Sequence, residues 1–346
     1  MQAIRANSRA TDAVGDRKQQ NFHAPYSTPI FCVLCGESTP RLLYNEHMTT
    51  WQAWLQAVRP RVFTATYVPM GLAGIVAYGD GVFAMLPFLL ALLGALLLQS
   101  AANLINEYAD YRRGADALKQ AGQGMTIKRQ ILSPQAVLAG AIATTLGGCL
   151  IGLLLLAQSG PLLWWIGIGG VLVAVTYTAG PFPLAYHGLG EIAVAIFMGP
   201  AIVVGAYYVM YPAVSEARIW ELCLASLPIA FMVAAILLAN NIRDMDADRT
   251  VNKRTLAVIF GIRFARFEYM FLVLGAYISQ AALIVFGLLP AASLLTLITL
   301  PQALRLIQII NTSEDVTLLH KAQGLTAKLH GQVGLLLALG WALSPL

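Results

Sequence analysis

The chain has 346 residues, of which 58% are hydrophobic and only 11% charged, with a formal net charge of +5. Soluble domains carry roughly a quarter charged residues, so the composition excludes an ordinary water-soluble domain and places the chain in lipid. The basic residues lie between apolar runs and not in one patch, which fits loops at a membrane face and excludes a nucleic-acid surface.

Residues 1–47 are polar and mixed, and no apolar core of signal-peptide length follows Arg5 or Arg9. They are expected to be a disordered extension, with residues 48–346 forming the membrane domain. Within the extension, Cys32 and Cys35 make a single C-x-x-C, which is half a zinc site and reads as a pair of free thiols. Cys149 and Cys223 lie inside apolar runs and read as small core- or lipid-facing residues.

From Trp51 onward, apolar segments near the ~20-residue spanning length recur at 60–79, 82–106, 134–157, 161–178, 190–211, 219–242, 267–287, 289–308 and 328–345. The expected fold is therefore all-α, a multi-pass bundle of about nine transmembrane helices. Pro60, Pro134, Pro161 and Pro290 sit near segment starts, where a missing N–H costs little. Trp164 and Trp165 read as an interfacial belt. Nearly all lysines and arginines of the membrane domain fall on one side of this pattern, from Arg59 and Arg61 to Lys321 and Lys328, while the opposite loops hold only Arg218. The positive-inside rule then puts the N-terminus in the cytoplasm and the protein in the cell membrane.

Two acidic, asparagine-bearing segments interrupt this apolar pattern, N-L-I-N-E-Y-A-D-Y-R-R-G-A-D from Asn103 to Asp116 and N-N-I-R-D-M-D-A-D-R from Asn240 to Arg249. Both fall on the cytoplasmic side. Carboxylates are costly near a bilayer and mark function by default. Asn103, Asn106 and Asp110 are three and four residues apart and share a helix face, with Glu107 on an adjacent edge. Asn240, Asn241, Asp244 and Asp248 repeat that spacing. Oxygen-only ligands suit Mg²⁺, which bridges to substrate phosphates, and the lack of His or Cys nearby argues against zinc. Arg243, Lys253, Arg254 and Lys128 would neutralise phosphate oxygens. The ligand these features share is a lipid diphosphate, with its head at the cytoplasmic mouth and its chain among the helices. The same residues could instead anchor loops by ion pairing, but two matching clusters on one side favour a divided site.

N-x-x-x-D followed by N-N-x-R-D-x-x-x-D resembles the UbiA superfamily of intramembrane aromatic prenyltransferases, and the likeness runs over residues 50–345. Three stretches are most similar to its naphthoate branch: the first acidic segment, Y-T-A-G-P-F-P-L-A-Y-H-G-L-G-E from Tyr177 to Glu191, and the second acidic segment continued through K-R-T-L-A at Ala257. The resemblance implies that Asn106, Asp110, Asp244 and Asp248 hold Mg²⁺ against the diphosphate. Glu107 stands where the family usually has Asp, so direct or water-mediated ligation on a longer arm is expected there. Gly114 replaces a further Asp, with Asp116 two residues on.

The implied reaction is transfer of a polyprenyl group from its diphosphate to 1,4-dihydroxy-2-naphthoate with loss of carboxylate, giving demethylmenaquinone. Asn103, Tyr177 and Asn241 join the basic residues as expected substrate contacts. A 4-hydroxybenzoate-type acceptor is the near alternative. A transporter using the acids for ion coupling is the distant one, disfavoured because such acids tend to lie mid-membrane on broken helices. Tyr186, His187 and Glu191 either meet the aromatic acceptor or belong to a tight turn, with Glu191 at a helix N-terminus. His320 and His330 are expected on a solvated face.

Overall fold

The computed structural model describes residues 49–115 and 124–344. The extension with Cys32 and Cys35, and also Asp116 and Lys119, lie outside the described residues. Among the described residues there are thirteen α-helices: α1 Thr50–Val58, α2 Thr64–Gly79, α3 Met85–Arg112, α4 Pro134–Leu156, α5 Pro161–Thr176, α6 Gly190–Ile196, α7 Ile202–Met210, α8 Glu216–Ala225, α9 Leu227–Thr250, α10 Leu256–Phe260, α11 Ile262–Val285, α12 Leu300–Thr312 and α13 Val316–Ala342. Among the described residues no strand forms, apart from an isolated bridge between His187 and Arg254. An all-α bundle follows from the need to satisfy every backbone group inside lipid.

Each expected apolar segment has a helical counterpart, but length and composition do not confirm the count of nine spans. Among the described residues, six helical segments are long and apolar enough to cross a membrane, and a seventh is the pair Thr50–Val62 and Thr64–Gly79, bent by 53°. Two of the expected spans fall short for different reasons. α5 has only 16 residues, and α13 carries His320, Lys321, Lys328 and His330 along its first half. The expected span at 219–242 is also displaced. Ser215 caps the short α8 through the Arg218 amide, and a new helix begins at Leu227–Pro228.

The two helices that carry the acidic segments are positioned differently. α9 is central: 78% of its most apolar window is buried, against 17% for the peripheral α4. Its small residues Ala234, Ala235 and Ala239 are essentially inaccessible and let α11 and α13 approach closely. The Tyr269 hydroxyl meets the Thr326 hydroxyl at 2.7 Å and ties α11 to α13. α3 packs along α4 and reaches α2 and α7. Between α6 and α7 the helix opens into a π turn at Phe197–Ala201, where Gly199 leaves helical geometry before Pro200.

Polar contacts gather at two ends of the bundle. At one, Arg113 donates to the Thr178 carbonyl, His187 meets Arg254, and Arg266 donates to the carbonyls of Ile310 and Ser313. At the other, Arg218 clamps Asp80 through both carboxylate oxygens at 2.8–3.1 Å, and the Tyr207 hydroxyl donates to the same group at 2.6 Å. Both acidic segments run to the first end.

Candidate active site

α3 and α9 each extend past their apolar portions without a break, so both acidic segments are helical and their three- and four-residue spacings become real faces. Those faces meet on one cavity of about 360 Å³. From α3 it receives Asn103, Asn106 and Asp110, and from α9 Asn240, Asn241, Arg243 and Asp244. Tyr177, at the end of α5, and Lys253, in the turn after α9, complete the polar wall. The remaining wall is apolar. Leu98, Ile151, Leu163, Phe197, Val233 and Ile236 carry the cavity inward between α3, α4, α5, the π turn at Phe197–Ala201 and α9. On α5, Gly167 and Gly170 also line it, and a Cβ at either would meet nothing within 4 Å.

Arg243 organises the α9 wall. Its Nε and Nη2 donate to the two Asp244 oxygens at 2.7 and 2.6 Å, and Nη2 also donates to Asn240 Oδ1 at 2.8 Å. Nη1 donates to Gln323 Oε1 at 2.6 Å and lies 2.9 Å from His320 Nδ1 on α13. His320 is therefore part of this network and does not stand on a solvated face. His330 also departs from that expectation, being fully buried. Sequence spacing could not reveal either contact, because α13 reaches α9 from about 80 residues away.

Lys253 and Asp248 are both buried, with Nζ donating to Oδ1 at 3.3 Å. Burial alone would push the Lys253 ammonium down. Asp248, Asp110, Tyr177 and Asp244 outweigh that and hold its pKa above the ordinary lysine value. One ammonium thus stands in the field of carboxylates from both acidic segments. The Tyr177 phenol is raised by burial and then by Glu191, so it stays neutral. Asn241 Nδ2 donates to Glu191 Oε1 at 2.7 Å, which fixes the Asn241 amide at the cavity wall. On α3, Asn103 Nδ2 donates to the Val58 carbonyl at 2.8 Å.

Four of the expected site residues lie off the cavity wall. Asp248 stands behind Lys253. Lys128 is exposed on its loop, and Arg254 is exposed beside His187. Glu107 is 1% exposed and turned toward the loop at Thr126 and Ile127. Conversely, Arg59 and Met125 line the cavity without having been singled out as site residues. Arg59 was legible only as a basic residue before an apolar run, yet its Nη2 donates to Asn106 Oδ1 at 3.2 Å. Tyr186 and Arg113 stack beside the mouth, the guanidinium 4.4 Å from the ring centre.

Among the described residues, no three His, Cys, Asp or Glu side chains form a ready-made metal centre. The donor set nevertheless fits a hard cation shared with a ligand. Asp110 and Asn106 line one wall of the cavity and Asp244 and Asn240 the other, so carboxylate and amide side chains meet there from two helices. Mg²⁺ needs only one or two carboxylates when phosphate and water supply the rest.

The UbiA prenyltransferase family model matches residues 67–321. The 1,4-dihydroxy-2-naphthoate octaprenyltransferase of Bacillus subtilis (strain 168) is 31% identical over 292 residues, covering 84% of this chain and 92% of the relative. The enzyme of the same name from Escherichia coli (strain K12) is 31% identical over 250 residues, covering 70% and 80%. Among solved structures, a UbiA homolog from Archaeoglobus fulgidus bound to GPP and Mg²⁺ superimposes with a TM-score of 0.53 at 17% identity, over 83% of this chain and 99% of that one. That likeness establishes the fold. With the family model spanning most of the membrane portion and the relatives aligned over most of their own length, the chain belongs to the UbiA prenyltransferase family.

Proposed function

We propose that this protein transfers a polyprenyl group from polyprenyl diphosphate to 1,4-dihydroxy-2-naphthoate. The products are carbon dioxide, diphosphate and the prenylated naphthoquinol, the reduced form of demethylmenaquinone. The observation that carries this reading is the single cavity, with both acidic segments at its polar end and an apolar interior between helices. The names of the bacterial relatives support the naphthoate as acceptor.

In this reading the diphosphate occupies the polar end, where the cations of Lys253, Arg243 and Arg59 offset its charge. Asn106, Asp110, Asn240 and Asp244 would hold Mg²⁺ there, with Asp248 supporting Lys253 from behind. Bound Mg²⁺ supplies charge stabilisation for the departing diphosphate. The apolar walls hold the prenyl chain and keep water from the allylic carbon as the C–O bond breaks. The ring carbon bearing the carboxylate forms the new C–C bond, and loss of that carboxylate as carbon dioxide restores aromaticity. Tyr177 and Asn241, fixed beside Glu191, are placed to orient the acceptor. The distribution of loop charges supports a site that opens to the cytoplasm of a protein in the cell membrane.

The test is a reconstituted assay read by mass spectrometry, offering naphthoate and 4-hydroxybenzoate in competition. Prenylated naphthoquinol, read as such or as the quinone after air oxidation, should form only when Mg²⁺, a prenyl diphosphate and the naphthoate are all present. Asp110→Ala and Asp244→Ala should each abolish product without preventing membrane insertion. Turnover retained in both variants would sink the metal assignment, and preferential benzoate prenylation would sink the acceptor.

A further inference from the structure

We propose that Glu107 anchors the Gly124–Ile127 loop and thereby positions the diphosphate end of the cavity, without ligating metal. The inference rests on the prenyl-transfer reading only for what the cavity binds. The anchoring itself is independent of it.

Glu107 follows Asn106 directly, and on a helix of 3.6 residues per turn the next residue lies about 100° further round. Asn106 and Asp110 therefore reach the cavity while Glu107 does not. Its Oε1 instead accepts from the Thr126 amide at 2.5 Å, the Thr126 hydroxyl at 2.6 Å and the Ile127 amide at 3.1 Å. The Gln56 side-chain amide adds a second tie, donating to the Gly124 carbonyl at 2.7 Å.

The loop so held has an unusual backbone. Gly124 and Met125 both have positive φ, at 80° and 61°. A methionine rarely adopts that geometry unless its surroundings impose it, and Glu107 grips the two amides that follow. The result is that the Met125 side chain lines the cavity. A side chain at Gly124 would be strained at its φ of 80° and would displace its neighbours, since a Cβ there would lie 2.6 Å from Glu107 Oε2 and 2.9 Å from Arg59 Nη2. The Arg59 guanidinium thus faces the same point as the second Glu107 oxygen. The longer arm also gains a physical reason, because an aspartate would fall short of the loop amides by roughly one C–C bond, about 1.5 Å.

The test uses the full chain in detergent. Hydrogen exchange of the 124–130 segment is measured without metal or substrate, followed by Mg²⁺ and prenyl diphosphate titrations of activity. Glu107→Ala should speed exchange at 126 and 127 at least tenfold, leave exchange at 240–250 unchanged, and raise the prenyl diphosphate KM at least tenfold. Its half-saturating Mg²⁺ should stay within twofold of wild type. Unchanged exchange with a tenfold higher Mg²⁺ requirement would overturn the proposal. Should the alanine variant misfold, the ordering of two others decides. Glu107→Gln keeps an oxygen in reach of the amides and should outperform Glu107→Asp in both protection and KM, and the reverse order overturns the anchor. If wild-type protein fails to prenylate the naphthoate, the functional reading falls while the metal-free exchange result still judges the anchor.

Discussion

Lys253 illustrates how single charges work at this site. Its ammonium is 5% exposed and faces carboxylates of both acidic segments, one of them the fully buried Asp248. Removing one member of a buried pair leaves a costly charge, so a substitution acts on both structure and binding. Lys253→Met, close in length but neutral, should raise the KM for prenyl diphosphate at least tenfold, about 1.4 kcal/mol of lost binding. Lys253→Arg should lose less. An unchanged KM in the methionine variant, measured on correctly inserted protein, would reduce Lys253 to a structural partner of Asp248. Its place here was visible in the sequence because K-R follows the second acidic segment after only three residues. Arg254 shares that pattern but is exposed and off the cavity wall, its backbone bridged to His187.

At the scale of elements, glycines decide how closely helices approach and how wide the cavity is. Gly199 lies in the π turn between α6 and α7, and a Cβ there would stand 2.6 Å from the Ala230 Cβ and 3.1 Å from its Cα on α9. Gly199→Ala must push α6 and α7 off the central helix, a strain of about 1–3 kcal/mol, and should lower the Tm in detergent. Gly167 on α5 is the opposite case, with open space where its Cβ would go. Gly167→Ala should leave the Tm unchanged or raise it, since alanine restricts the unfolded chain by about 0.4–1 kcal/mol. Gly167→Phe should fold but raise the KM for long prenyl diphosphates more than for short ones. An equal effect on both lengths would place Gly167 away from the prenyl path. The helices were readable from apolar length, but neither glycine's role was, because both depend on which helix lies opposite.

For the whole molecule, sidedness is the property that function requires. Loops bearing the acidic segments and most basic residues share one end, while Asp80, Tyr207 and Arg218 tie the other. In a cysteine-free background, Lys128→Cys should react with an impermeant maleimide only when the cytoplasmic face is exposed, and Glu216→Cys only from outside. Labelling of both from one side would overturn the assigned orientation.

Sequence by itself determined the membrane character, the all-helical class, the two acidic segments and the faces on which their oxygens stand. These follow from composition and helical period, which are local. Tertiary structure decided which of those oxygens meet. Asp110 and Asp244 share a cavity because α3 and α9 converge, whereas Glu107, one residue from Asn106, turns to a loop 19 residues on. His320 and Gln323 joined Arg243 from α13, and Arg59 joined Asn106 from 47 residues before it. Spacing fixes the direction in which a side chain points. Only packing supplies what it points at.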